Sequence, residues 1–145
     1  PRPTARPAPR ARPAATVKRP NVLVVDHDPG ILQGIQAALS MLPVGVDVMA
    51  LPSAEDALAS VSERLPDLVI TEVGLAGMDG FELCRHLRED IRTAFVPVVM
   101  LANPGEEEAR SKGYHVGADD YVSKPFSSED LNSRVLRLLR RTYGI

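Results

Sequence analysis

The sequence predicts an α/β fold: an open sheet of five parallel strands with helices on both faces. Three observations carry this. Short continuous apolar runs recur five times, as strands buried on both faces require. Between them lie segments with apolar residues at helical spacing, opened by capping residues or closed by Pro and Gly. The alternation begins near residue 21 of the 145-residue chain, leaving room for five βα units in one domain.

The first run is NVLVVD (21–26). Asp28-Pro29 then reads as an N-cap followed by proline at the first helical position. Ile31, Ile35, Ala38 and Leu42 recur at helical spacing, and Pro43 and Gly45 stop that helix. VDVMAL (46–51) is the second strand, and Ser53 with Asp56 opens a helix carrying Leu58, Val61 and Leu65. DLVITE (67–72) is the third strand. Asp79-Gly80 opens a helix with Phe81, Cys84, Leu87 and Ile91 on one face. Residues 96–101 form the fourth strand, 105–116 a weaker polar helix, and DYVSK (120–124) a short fifth strand. Ser127 and Asp130 cap a last helix carrying Leu131, Val135, Leu138 and Leu139. A doubly wound sheet of this size has few possible topologies, the order 2-1-3-4-5 among them, and binds ligands beyond the carboxyl ends of its strands, where the order reverses.

Composition narrows the class. An apolar fraction of 44% with 25% charged residues is ordinary for a globular domain. One cysteine, Cys84, forbids an intrachain disulfide and fits a reducing, cytoplasmic setting. No apolar run approaches the roughly 20 residues of a membrane span, and no signal peptide is visible. The net charge of −2 hides an asymmetry: residues 1–20 hold five Arg, one Lys and no acid, about +6, which leaves −8 for the rest. The same stretch contains six of the 13 prolines. Such a segment cannot bury enough apolar surface to offset its ordering entropy. Residues 1–19 are therefore expected to be a disordered linker or a basic arm, and residues 20–145 the domain. The start at Pro1 rather than Met suggests a piece of a longer protein.

The strand ends are informative. Strand 1 ends in Asp26-His27-Asp28, strand 3 in Glu72, strand 4 in Ala102 and strand 5 in Lys124-Pro125-Phe126. In a parallel sheet these meet at one rim. The ordered set VVDH (24–27), DLVITEVGLAGMDGFEL (67–83), PVVMLA (97–102) and GADDYVSKPF (117–126) resembles the receiver domain of two-component response regulators. The resemblance covers about residues 21–142. It implies the flavodoxin-like receiver fold. It also implies a site in which an Asp ending strand 3 accepts a phosphoryl group beside Mg²⁺ held by that Asp and an acid pair on strand 1. A lysine contacts the phosphoryl oxygens, a Ser or Thr ending strand 4 swings in to bond them, and an aromatic on strand 5 turns inward.

Carried over by position, Asp26 matches the first acid, Lys124 the lysine and Tyr121 the aromatic switch. The second acid is His27, the phosphoacceptor position is Glu72, the switch hydroxyl is Ala102, followed by Asn103, and the loop proline is Ala76. These departures converge. Mg²⁺ wants near-octahedral oxygen ligands and tolerates imidazole poorly. The extra methylene of Glu72 displaces its oxygen from the line of attack, and small misplacements cost heavily. Ala102 has no hydrogen bond to give. With Asp26 and Glu72 facing Lys124, the site carries about −1, or near zero if His27 is protonated, so Lys124 can pair with Glu72 without metal or phosphate.

The expectation is a pseudo-receiver: not an enzyme, without cofactor or Mg²⁺, acting as a protein-interaction module independent of phosphorylation. Its partner is another protein, another domain of a longer chain, or a second copy, met through the fourth helix, fifth strand and fifth helix, with no role for membrane or nucleic acid. The alternative is an atypical receiver that still switches, with Asp26 and Glu72 holding the metal. Glu72 as an imitation of phospho-Asp is a further variant, imperfect because phosphate carries more charge and more acceptor oxygens. A nucleotide- or flavin-binding module on the same topology lacks its Gly-rich loop after strand 1. Among the remaining candidates, Asp28 and Asp79 read as helix starts and Asp67 as a turn residue. His86 and His115 read as surface or partly packed, and Cys84 as core. Asp26, His27 and Glu72 together offer transition-metal ligands. Arg134, Arg137, Arg140 and Arg141 make a basic, solvated face on the last helix.

Overall fold

The computed structural model describes residues 19–143 apart from residue 107; the expected arm, up to residue 18, lies outside the described residues. The elements, in order, are β1 (Asn21–Val25), α1 (Pro29–Leu39), β2 (Asp47–Leu51), α2 (Ala54–Val61), β3 (Leu68–Glu72), α3 (Gly80–Glu89), β4 (Val98–Ala102), α4 (Ala109–His115), β5 (Asp120–Ser123) and α5 (Ser128–Tyr143). All five strands are parallel, in the order β2-β1-β3-β4-β5. The order reverses at β1, which pairs with β2 on one side and β3 on the other.

The doubly wound architecture follows from strand alternation. Val22, Val24, Leu68, Ile70, Val99, Leu101 and Val122 face one core, shared with Ile35, Ala38 and Leu39 of α1 and Leu131, Val135, Leu138 and Leu139 of α5. Leu23, Val25, Val69, Val98 and Met100 face the other, against Ala54, Ala57 and Val61 of α2 and Phe81, Cys84 and Leu87 of α3. Neighbouring residues of one strand thus feed opposite layers, so β1, β3 and β4 are buried throughout.

Capping places the helices as the sequence signals. The Asp28 side chain accepts from Gly30 N at 2.8 Å, Ser53 from Asp56 N at 3.1 Å, and Asp79 forms a full capping box with Glu82. Asp67 accepts the Asn21 N–H at 2.6 Å and so fixes where β1 and β3 begin to pair. Several expectations shift. The fourth strand starts at Val98, not residue 96, because Pro97 has no N–H to donate. Helix α3 ends at Glu89, with Asp90 extended at φ −95° and ψ 123°, so Ile91 falls off its apolar face and is exposed. Leu65 likewise lies beyond α2 and is exposed. Arg19, assigned from sequence to the arm, donates to Val46 O at 2.8 Å and pairs with Asp47 at 3.3 Å. No described helix is long and apolar enough to cross a membrane.

Gly80 sets the entry of α3 onto the end of β3. A Cβ there would lie 2.3 Å from Glu72 O, a backbone atom that cannot step aside. Gly80→Ala is therefore expected to lower unfolding stability by about 1–3 kcal/mol, read by urea denaturation; an unchanged midpoint would show that the loop gives way freely.

Candidate functional site

The rim at the carboxyl ends of β1 and β3 holds two buried carboxylates. Asp26 follows β1 and is fully buried; Glu72 closes β3 and is 1% exposed. Lys124 follows β5 and reaches across the end of β4 to both, its Nζ 2.8 Å from Asp26 Oδ2 and 3.1 Å from Glu72 Oε2. The sequence anticipates the pairing with Glu72; the shorter contact to Asp26 is additional. The Lys124–Pro125 peptide is cis.

The other oxygens of the two acids face the β1–α1 loop. The His27 backbone N donates to Glu72 Oε1 at 2.7 Å, and His27 Nδ1 is hydrogen-bonded to the same oxygen. Asp26 Oδ1 accepts from Asp28 N at 2.9 Å and lies 3.8 Å from His27 Nδ1. Glu72 is thus held between an imidazole and an ammonium. The His27 side chain is 66% exposed, so the cluster has one open side.

The charges answer to this geometry. The hydrogen bond to Glu72, with that carboxylate's charge, raises the His27 pKa above its ordinary 6.5. Burial alone would raise Glu72, but the His27 N–H, the imidazole and Lys124 together lower it below its ordinary 4.5. Burial alone would lower Lys124, and its bonds to Asp26 and Glu72 overcome that to raise it.

The remaining expected positions fall at the same end. Ala102 closes β4 beside Ser123 of β5, is 1% exposed, and presents a methyl group. In the loop beyond it, Asn103 N donates to Glu106 Oε1 at 2.6 Å. Tyr121 is 2% exposed, its ring turned inward, and its hydroxyl donates to Glu106 O at 2.7 Å. The Arg110 guanidinium lies 5.0 Å from the Tyr121 ring centre. On α5 the arginines are not simply solvated. Arg134 and Arg137 pair with the buried Asp120 at 2.6 and 2.8 Å, and Arg141 with Asp119 at 3.2 Å. The sequence did not reveal these pairs, because Asp119 and Asp120 are 14 or more residues away in the chain. Glu55 of α2 was also missed; its Oε2 accepts from Met78 N at 2.9 Å and pins the β3–α3 loop. His86 and His115 are exposed, and Cys84 is buried in the core.

Residues 22–136 match the response regulator receiver domain family. The chain belongs to that family. It is 39% identical over 121 residues to the phosphate regulon transcriptional regulatory protein PhoB of Pseudomonas aeruginosa, covering 83% of this chain and 52% of PhoB. The chain therefore spans about half the length of that relative. Among solved structures it resembles the Vibrio cholerae chemotaxis protein CheY4 (TM-score 0.76, 29% identity, 83% of this chain and 99% of that one). It also resembles the BeF3-activated DrrB receiver domain (TM-score 0.76, 34% identity, 86% of this chain and 100% of that one).

The family implies Mg²⁺ at this rim. Mg²⁺ demands an octahedron of oxygens and is reluctant to shed water. The side chains that converge here are Asp26, His27 and Glu72, with ligand atoms within 4.8 Å of one another. One of the three is an imidazole bonded to Glu72, and Lys124 holds the other oxygen of each carboxylate. This donor set does not fit Mg²⁺.

Two outcomes follow for stability. Lys124→Met leaves two buried carboxylates uncompensated and is expected to cost about 3 kcal/mol, measured by denaturant unfolding; a loss below one third of that would place the triad in solvent-like surroundings. The second concerns pH. His27, with a raised folded pKa, contributes stability that is fully present below 6.5 and lost as pH rises through the folded value. Glu72, with a lowered one, contributes stability present above 4.5 and lost as pH falls through its folded value. Both act together between these limits. With chelator present, the difference in Tm between the parent and His27→Gln should be wider at about pH 5.5 than at about pH 8.5. A difference that grows with pH would contradict the pairing.

Proposed function

We propose that this receiver domain works without phosphorylation, as a protein-interaction module of a longer signalling protein. One observation carries the reading: the carboxylate in the phosphoacceptor position, Glu72, has both oxygens engaged by groups of the chain itself, His27 on Oε1 and Lys124 on Oε2. An in-line attack needs a lone pair of one of these oxygens aimed at the phosphorus, which these bonds oppose, and a cation to offset the incoming charge. Here the lysine is already committed, and the imidazole stands where the family carries an acid. Ala102 adds no donor that would distinguish a phosphorylated state, and a ligand shifts an equilibrium only through differential contacts with its two states. Nothing in this reading requires an enzyme's chemistry or a bound cofactor. The partner surface is the face of α4, β5 and α5, where Tyr121 is buried and Arg134, Arg137 and Arg141 are held by Asp119 and Asp120. It suits a second domain, a second copy or a separate protein, and the half-length match to PhoB makes further domains in the full protein reasonable.

The second reading is a receiver that still switches. The comparisons favour it: the relatives are regulators, and one structural neighbour is a receiver in its BeF3-activated form. Asp26, Lys124 and Tyr121 are also in place.

One experiment separates the two. Incubation with Mg²⁺ and acetyl phosphate is expected to leave the intact mass unchanged, and beryllofluoride to leave amide shifts around Ala102, Tyr121 and α4 unmoved. Reverting Glu72→Asp, His27→Asp and Ala102→Thr together should restore Mg²⁺-dependent beryllofluoride binding, with each single change doing much less. A stoichiometric phosphoryl adduct on the unmutated chain would establish the switchable reading instead.

A further inference from the structure

We propose that Asp26, His27 and Glu72 form a site for a late first-row divalent cation of the Zn²⁺, Ni²⁺ or Cu²⁺ kind, in place of Mg²⁺. The two carboxylates divide their oxygens. Asp26 Oδ2 and Glu72 Oε2 face Lys124. Asp26 Oδ1 and Glu72 Oε1 face His27 Nδ1, and each of the three side chains offers a ligand atom within 4.8 Å of the others. The lysine therefore compensates the buried side of the cluster without filling the side that faces solvent.

The distances suit a small cation bound at about 2.0–2.2 Å, whose tetrahedral ligands stand about 3.4 Å apart. His27 Nδ1 is 3.8 Å from Asp26 Oδ1 and in direct contact with Glu72 Oε1. Inserting the ion requires the first separation to close slightly and the second to open. A rotation of the imidazole supplies both, since the two acids are buried and anchored while His27 is 66% exposed. The backbone N–H of His27 on Glu72 and that of Asp28 on Asp26 hold the carboxylates in place throughout. Three protein ligands leave the outer positions to water, the form of an open site rather than a closed structural one.

Ligand chemistry selects the ion. Imidazole suits Zn²⁺, Ni²⁺ and Cu²⁺, whereas Mg²⁺ prefers oxygen alone. The nearby ammonium weakens any cation, so selectivity rests on the imidazole. The other histidines, His86 and His115, are exposed and belong to no such cluster among the described residues.

The test is calorimetric titration of the chain with Zn²⁺ alone and with Mg²⁺ alone, with amide shifts recorded in parallel. Zn²⁺ is expected to bind one per chain, at least about 100-fold more tightly than Mg²⁺, and to shift the amides of Asp26, His27 and Asp28. His27→Gln should lose about tenfold or more of the Zn²⁺ affinity while keeping the amide spectrum of a folded domain. A doubled His86→Gln, His115→Gln variant should lose none. His27→Asp should reverse the preference by gaining Mg²⁺ affinity. Zn²⁺ binding that survives His27→Gln, or that disappears with the double variant, would overturn the proposal, as would Mg²⁺ binding as tightly as Zn²⁺. If His27→Gln fails to fold, the Mg²⁺ to Zn²⁺ ratio of His27→Asp decides: an unchanged ratio sinks the idea.

Discussion

Two carboxylates buried at the end of a parallel sheet are a liability that the rest of the rim is arranged to neutralise. Removing a carboxylate from water costs several kcal/mol unless it is paired and hydrogen-bonded. Asp26 and Glu72 are both almost fully buried, and two side chains, Lys124 and His27, lie within ion-pair distance of each. The topology makes this possible. β1 and β3 are neighbours, so their terminal acids stand side by side, and β4 separates β3 from β5, so the lysine must stretch across it. The bond from Lys124 N to Ala102 O at 2.7 Å anchors the start of that stretch.

The loops are tied to the same groups. The turn that starts α1 also orients Asp26, since Asp28 caps the helix with its side chain while its N–H holds Asp26 Oδ1. The β3–α3 loop is closed from both ends, by Glu55 on Met78 and by the Asp79–Glu82 capping box. The β4–α4 loop is fastened by Glu106, whose carboxylate takes the Asn103 N–H and whose carbonyl takes the Tyr121 hydroxyl. Each of these loops therefore has a partner within the chain.

How far this was legible in the sequence depends on the range of the interaction. β1, β3 and the core faces of α1 and α5 were readable, because burial on both faces or on one helical stripe leaves a local pattern. Boundaries were readable where a cap marks them, as at Asp28, Ser53 and Asp79. They were not where an apolar residue continues the spacing past the true end. Ile91 repeats the α3 period, yet Asp90 has already turned extended and no neighbour covers it. Of the site, the convergence of Asp26, Glu72 and Lys124 followed from topology plus resemblance. The bonds from His27 to Glu72 did not. From sequence His27 read as a carboxylate lost; in space it is also a donor gained. The pairing of Arg134 and Arg137 with Asp120 was hidden for the same reason, since sequence spacing says nothing about which acid a helix face meets across the fold.

The two substitutions at positions 27 and 72 are better understood together than apart. An aspartate at 72 is one methylene shorter and would end farther from the β1–α1 loop. An acid at 27 would repel it. Glutamate supplies the reach, histidine adds a ring donor beside the main-chain N–H of position 27, and the result is a carboxylate bonded on both oxygens within the chain. Charge-assisted hydrogen bonds of this kind are worth roughly 1.5–3 kcal/mol each. The same pair thus offsets part of the buried charge from within the chain. Ala102 places a methyl group at the same rim, where it adds no hydrogen bond to the set.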